Sequence, residues 1–370
     1  MQNVKKTDFF LGANSPDGFF SYYNELLDLE TAEDLFILKG GPGCGKSSFM
    51  KRIASKLLSA GQPVEYIHCT SDPSSMDAVV FPDLKTAFVD GTAPHVIEPK
   101  YPIVVESYVN LGEFYDTAGV KSVRSEVVRL SSLKGAPYPR AYRLLNSAAC
   151  VSSEIFNIVV STPLIEKIRK RAKGIIEREI KKQSGPGLTK KRFLTGMSSD
   201  GVVQLFDTVK TSCEKVYLLS DSFGLSHFLL APILRAAEAS GHEAVACYCP
   251  TNPANRLEHI IIPGLSLAFV TSNSWHPYDG EYYRHIRLDA AVDHDLVRDN
   301  RAYTRSLQKI SKELTDDAAA SFLEAKKYHM ELEALLNPFV DFDALYSLSD
   351  RFTERLMSKQ ANPDSHPRRA

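Results

Sequence analysis

Phe36-Ile37-Leu38-Lys39-Gly40-Gly41-Pro42-Gly43-Cys44-Gly45-Lys46-Ser47-Ser48 reads as strand, glycine-rich loop and helix. Gly40, four further residues and then Gly45-Lys46-Ser47 make the spacing of a phosphate-binding P-loop. Glycines allow backbone turns that a Cβ would close, and such a turn directs successive N–H groups inward around a phosphate. The helix that follows adds the positive end of its dipole. The context agrees. Leu35–Leu38 is an apolar run of strand length, and Ser47–Leu58 places Phe49, Ile53, Leu57 and Leu58 on one helical face. The expected nucleotide-binding stretch is therefore Gly40, Gly41, Gly43, Cys44, Gly45, Lys46, Ser47 and Ser48. Lys46 would reach the β- and γ-phosphates, and Ser47 would hold Mg²⁺.

The chain has 370 residues, 24% of them charged, with a net charge of −1, so neither nucleic acid nor an anionic membrane has a bulk electrostatic claim on it. Its length suits about two domains. The six cysteines show no zinc-type pairing and no disulfide density, which fits a reducing cytosol. With no signal peptide and no apolar run of membrane length, the chain reads as soluble and cytoplasmic. The cluster Lys167, Arg169, Lys170, Arg171 and Lys173 reads as a solvated helix face.

An internal repeat organises the rest. Phe10-Leu11-Gly12 through Asp17-Gly18 is echoed by Phe193-Leu194 through Asp200-Gly201, each followed by a helical stretch. Cys69-Thr70-Ser71-Asp72-Pro73 is echoed by Cys249-Pro250-Thr251-Asn252-Pro253. Val80-Phe81-Pro82 through Asp90 matches Ile261-Ile262-Pro263 through Thr271, and His95 then falls opposite His276. The expectation is an α/β protein of two tandem P-loop NTPase-like domains with parallel, helix-covered sheets. Strands are expected at Leu35–Leu38, Val64–Cys69 and Thr86–Val89, and again at Val216–Leu219, Ala244–Cys249 and Leu267–Val270. Added helical segments over Val120–Leu133 and Tyr142–Lys182, and over Asp293–Leu336 and Phe342–Met357, read first as packing appendages and second as lids. The boundaries expected are 1–183 for the domain with the intact site, a Gly-Pro-Gly linker at 184–188, 189–358 for the repeat, and a tail over 359–370.

A P-loop needs a second acid to place Mg²⁺. Asp90, closing the apolar run Ala87-Phe88-Val89, has that pattern, and Asp72 is the competitor, although Ser71-Asp72-Pro73 also reads as a turn. The second half supplies a control. Opposite the P-loop stands Ser220-Asp221-Ser222-Phe223-Gly224-Leu225-Ser226-His227, with no lysine; opposite Asp90 stands Thr271, and opposite Asp72 stands Asn252. Lysine and acids vanish together, as expected of one intact site and one degenerate one, and Asp221 would repel a phosphate. His95 and His276 persist in both halves, which points to packing before catalysis. Cys44 reads as a small residue tolerated in the loop rather than a redox switch. Gly91, not glutamate, follows Asp90, so a base for water is not in its usual place. Glu98 would serve only if its loop folds back. Arg140 and Arg143 are candidates for charge stabilisation.

Gly40–Ser48, Val89-Asp90-Gly91-Thr92-Ala93-Pro94-His95 with Pro99-Lys100-Tyr101-Pro102, and Val270-Thr271-Ser272-Asn273-Ser274-Trp275-His276 carry a resemblance over nearly the whole chain. It resembles a bacterial family of tandem-domain P-loop proteins described as ATPases or nucleotide-kinase-like proteins. The resemblance implies ATP binding by Gly40–Ser47. Ser220–His227 departs from the intact second P-loop of that family, which sets a two-site mechanism in question. Residues and resemblance together lead to an ATP-binding, magnesium-dependent P-loop ATPase with slow or triggered hydrolysis at one site. Lys46, Asp90 and Asp72 would be its catalytic set, and Ser47 and Asp90 its metal ligands. The alternatives are a kinase with Asp72 or Asp90 as base, and a nucleotide-sensing interaction protein. Partners then comprise a nucleoside triphosphate and an acceptor or protein partner, with a homodimer left open.

Overall fold

The computed structural model describes residues 6–361, with side chains to 359. The first half runs β1 (Lys6–Phe9), β2 (Gly12–Ser15), β3 (Gly18–Ser21), β4 (Asp34–Lys39), α1 (Lys46–Ser59), β5 (Val64–His68), β6 (Met76–Phe81), β7 (Thr86–Asp90), β8 (Glu106–Asn110), α2 (Thr117–Ser122), α3 (Arg124–Gly135), α4 (Tyr138–Val159) and α5 (Thr162–Glu179). The second runs β9 (Leu188–Arg192), β10 (Thr195–Ser198), β11 (Gly201–Gln204), α6 (Asp207–Ser212), β12 (Lys215–Ser220), α7 (Ser226–Ala239), β13 (Glu243–Tyr248), β14 (Leu257–Ile262), β15 (Leu267–Ser272), β16 (Arg284–Arg287), α8 (His294–Asp299), α9 (Arg301–Leu336) and α10 (Phe342–Ala361).

The repeat is realised strand for strand. One sheet has the order β1-β5-β6-β7-β4-β8, the other β9-β13-β14-β15-β12-β16. Even the turn before the third expected strand matches, with Lys85 at φ 46° and Ser266 at φ 48°. Gly61 and Gly241 follow α1 and α7 with φ of 90° and 83°, the left-handed conformation that ends a helix.

The sheets are mixed, not parallel. β4 runs parallel to β7 and β8, but β6 is antiparallel to both β5 and β7, and β14 repeats this. Each sheet holds three strands absent from the expected set, β1, β6 and β8 in the first and β9, β14 and β16 in the second. The chain from Cys69 to Ser75 is too short for the helical crossover a parallel neighbour requires, so Met76–Phe81 returns as a hairpin. The helix expected before the P-loop strand also differs. The β2–β3 hairpin takes its place in the first half, with only a 3₁₀ turn at Tyr23–Glu25. In the second half a hairpin precedes the short α6.

Two compact units emerge, and their limits do not follow 1–183 and 189–358. Unit 1 comprises 1–8, 23–136 and 325–370; unit 2 comprises 9–22 and 137–324. Within unit 1, α10 packs on the first sheet. Phe352 meets Phe88 at 5.4 Å and Phe36 at 4.9 Å between ring centroids, and Leu345 and Leu356 are fully buried among them. Asp350 of α10 pairs with Arg52 at 2.8 Å and Lys56 at 2.6 Å of α1. Within unit 2, α5 covers the second sheet: Leu164, Ile168, Ala172 and Ile175 share a core with Leu229, Ile233 and Phe269. Two of the helical segments thus serve the sheet of the other half, α10 the first and α5 the second, while Leu130 of α3 packs against Leu332 and Leu336 of α9. Of the expected linker, Leu188 already belongs to β9, and of the tail, residues 359–361 continue α10 while 362–370 lie outside the described residues. Among the described residues no single helix is long and apolar enough to cross a membrane.

Candidate functional site

The loop of unit 1 departs from the end of β4, where Leu38 and Lys39 pair with β7 and β8. Gly43 at φ 76° and Gly45 at φ 85° lie in the left-handed region, which lets the loop coil back before α1 begins. The N–H groups of Gly43 and Gly45 have no acceptor among the described residues. Lys46 folds over the loop: its Nζ donates to Gly40 O at 2.9 Å and Gly41 O at 3.2 Å, and lies 3.6 Å from Asp90 Oδ2. Asp90 stands at the end of β7, and its Oδ1 accepts from Thr92 N at 2.9 Å and Thr92 Oγ1 at 2.6 Å. Ser47 Oγ accepts from Met76 N at 3.0 Å, which ties α1 to the start of β6. Ser48 is exposed on the first turn. Lys46 and Asp90 are thus brought within 3.6 Å of each other, while the Ser47 hydroxyl is engaged with Met76 N.

Other expected residues fall elsewhere. Asp72 belongs to a turn, bonded to Ser74 Oγ at 2.8 Å and Ser75 Oγ at 3.0 Å, and it pairs with Lys326 at 2.9 Å. Those partners, Lys326 above all, hold its carboxyl below the ordinary range although burial opposes them. Glu98 is exposed and committed to Lys39 at 3.2 Å and to the Tyr108 hydroxyl. Arg140 is engaged in unit 2 with Ser321 at 3.0 Å and with Glu324, and Arg143 lies exposed on α4. Cys44 is fully buried and burial pushes its thiol up, which suits a packed small residue.

Several residues went unread in the sequence. A Cβ on Gly43 would stand 2.7 Å from Asn337 Oδ1 and 3.2 Å from Glu333 Cα, so α9 rests directly on the loop. Turned so that its amide donates, Asn337 reaches Gly43 O at 2.9 Å. Tyr115 donates to Pro42 O at 2.5 Å. An ion pair with His329 holds Glu333 below the ordinary carboxylate value. Lys134 of α3 is pushed down by burial and by the nearby Lys46 ammonium, so a second cation reaches this electrostatic environment. Asp77, one position into β6, is buried; desolvation raises its pKa and Asp90 adds to the rise. It accepts from Tyr23 OH at 2.8 Å and lies 4.0 Å from His95 Nε2, and His95 stacks on Tyr23 at 4.5 Å. The signal for Asp77 was present: an acid stands at the second position of an otherwise apolar strand in both halves, as Asp77 and as Glu258.

In unit 2 the equivalent loop is closed by its own side chain. Asp221, only 2% exposed, accepts from Phe223 N at 3.2 Å and Leu225 N at 2.9 Å through Oδ1, and from Ser226 N at 2.6 Å through Oδ2. A carboxylate thus fills the N–H cradle that phosphate would take. His227 replaces Ser47, accepting from Leu257 N at 3.3 Å through Nδ1 where Ser47 accepts from Met76 N. Glu258 lies 3.2 Å from His276 Nε2 and accepts from Thr195 at 3.0 Å. No family model, curated protein or solved structure matches the chain.

Proposed function

We propose that unit 1 binds a magnesium–nucleoside triphosphate, ATP on the family resemblance, and hydrolyses it slowly or on a trigger. The observation that carries this is the pair of unsatisfied N–H donors at Gly43 and Gly45, in a left-handed loop closed by Lys46. Such donors with a lysine beside them suit the β- and γ-phosphates. Lys46 would exchange its loop carbonyls for phosphate oxygens. Ser47 and Asp90 fit Mg²⁺: both are hard oxygen donors, and among the described residues Ser47 Oγ takes one hydrogen bond and Asp90 Oδ2 meets Lys46 alone. Bound there, the ion would neutralise charge on the phosphates. Lys134 is a candidate to add positive charge from α3. With Gly91 after Asp90 and Glu98 committed elsewhere, no carboxylate is assigned as base for water, which is why turnover is expected to be slow.

A second reading, nucleotide-dependent binding of a partner, rests on α9 and α10. Glu333 and Asn337 lie against Gly43, and Phe342 and Leu345 against Gly45, so phosphate in the loop would be felt by both helices.

Calorimetric titration with Mg-ATP, alongside phosphate release, tests the first reading. Lys46→Ala is expected to weaken binding about 100-fold, the loss of two charge-assisted contacts. Asp90→Asn is expected to lower turnover and weaken the dependence on Mg²⁺. Undiminished Mg-ATP binding by Lys46→Ala would sink the proposal.

A further inference from the structure

Beside the closed loop of unit 2 lies a cavity of about 210 Å³. Ser152 and Ser153 of α4, His227 of α7, and Asn252, Asn255 and Arg256 of the β13–β14 connection contribute its polar lining, which contains no carboxylate. Arg256 is half-buried. Its Nη2 donates to Cys249 Sγ and to Thr251 Oγ1 at 2.8 Å. Its Nη1 and Nε have no acceptor among the described residues, and Nη1 would stand 3.2 Å from a Cβ on Gly224, at the loop that borders the cavity. A guanidinium with open donors beside a cavity is matched to an oxyanion, which accepts two parallel hydrogen bonds. Glu258 and Asp221 lie near enough to raise the Arg256 pKa, but neither accepts from its guanidinium and both are engaged elsewhere. Asp221 is spent on three backbone N–H groups, and Glu258 on His276 and Thr195. His227 is pushed below its ordinary value by burial and then by Arg235, Arg169 and Arg256, so three guanidiniums bear on one wall of the cavity. Because His227 Nδ1 accepts from Leu257 N, its neutral ring carries the proton on Nε2.

We propose that this cavity is a second ligand site, taking a small phosphate- or carboxylate-bearing molecule on Arg256 and His227 without a metal ion. The P-loop position of the repeat has thereby changed chemistry: the backbone cradle is filled from within by Asp221, and the anion is gripped by side chains next to it. The volume lies below the 300–1,000 Å³ typical of sites for drug-sized ligands, so the cavity is too small to enclose a nucleotide and a compact oxyanion is the fitting guest. The site is independent of the P-loop of unit 1 and stands or falls separately.

The test uses the full chain carrying Lys46→Ala, so that anion binding at the first loop is weakened and the second site dominates the titration. Inorganic phosphate and malonate are titrated separately by calorimetry, in the presence of a chelator. Saturable binding of at least one is expected, and the preferred probe names the ligand chemistry. Arg256→Gln should weaken it about tenfold or more, Arg256→Lys less. Ser153→Trp, which fills the cavity from the exposed face of α4, should weaken it as much while leaving Arg256 in place, and remains informative if Arg256→Gln unfolds. The absence of saturable binding by either anion, or equal affinity in Lys46→Ala chains with and without Ser153→Trp, overturns the proposal.

Discussion

The loops after β4 and β12 hold the same place in the repeat and meet the same physical demand in opposite ways. Each starts a 14-residue helix whose first N–H groups need acceptors. In unit 1, the loop leaves Gly43 and Gly45 N–H open and folds a lysine over itself. In unit 2, Asp221 is pulled inside and accepts three of them. The first arrangement is unsatisfied and therefore able to bind; the second is satisfied and therefore stable. In the repeat the loop is thus closed from within by its own carboxylate rather than left open.

The same contrast extends to the acid shared by the repeats. Burial raises Asp77, with Asp90 adding to it, so its charged form weighs against folding. Burial also acts to raise Glu258, but His276 and His259 override it and hold it well below 4.5. His276, in turn, is lifted above its ordinary 6.5 by Glu258 despite its own burial. The signs follow. A depressed carboxylate contributes stability that is present above its unfolded value near 4.5 and lost as pH falls through its folded one. A raised histidine contributes stability that is full below 6.5 and lost as pH rises through its folded value. The Glu258–His276 pair is thus worth most between those limits, in mildly acidic solution. Glu258→Gln should cost about 4 kcal/mol there, as expected for breaking a buried pair, and should flatten the pH dependence of urea midpoints on both sides. Asp77→Asn should instead leave the neutral-pH midpoint unchanged or raise it. Equal losses in both variants would break the contrast between the halves.

Next in size is Asp221→Ala. It strands two buried N–H groups and one half-buried one and should cost about 3 kcal/mol in the same unfolding experiment, with Asp221→Asn costing less because one amide oxygen still accepts. A neutral Asp221→Ala would mean that the carboxylate does not hold the loop. The smallest effects come from alanine at the paired left-handed glycines. Gly224→Ala should cost about 1 kcal/mol of stability, since its φ is 80° and Arg256 Nη1 can yield. Gly43→Ala, at φ 76° and with the α9 backbone within 3.3 Å, cannot be relieved by a side-chain shift alone, so it should also perturb Mg-ATP binding. Equal and purely structural effects would show that α9 is not coupled to the loop.

Much of this was written locally. Glycine spacing placed the loop, apolar runs placed β4, β5 and β7, and the loss of lysine and acids in the second half distinguished the two loops before any coordinates. Asp72 and Asp77 show the limit. Both are single acids near strand ends, and only the partners decide their roles: Lys326 and a turn claim Asp72, while Tyr23 and His95 gather around Asp77. β6 escaped because its first residues carry no turn signal stronger than that of Ser71–Ser75, and the antiparallel return is a consequence of how little chain lies between β5 and β6.

What the sequence by itself determined is the repeat, the glycine-rich loop between β4 and α1 and its asymmetry with the second half, because backbone conformations open only to glycine and the chemistry of lysine and carboxylate act within a few residues. What only the tertiary structure decided is which helices cover which sheet, that Asp221 turns inward, and that Arg256 keeps open donors beside a cavity. Those outcomes depend on surfaces brought together from more than 100 residues apart, such as Phe352 on Phe88 and Ser152 beside Arg256, and no local pattern encodes which apolar face will meet which.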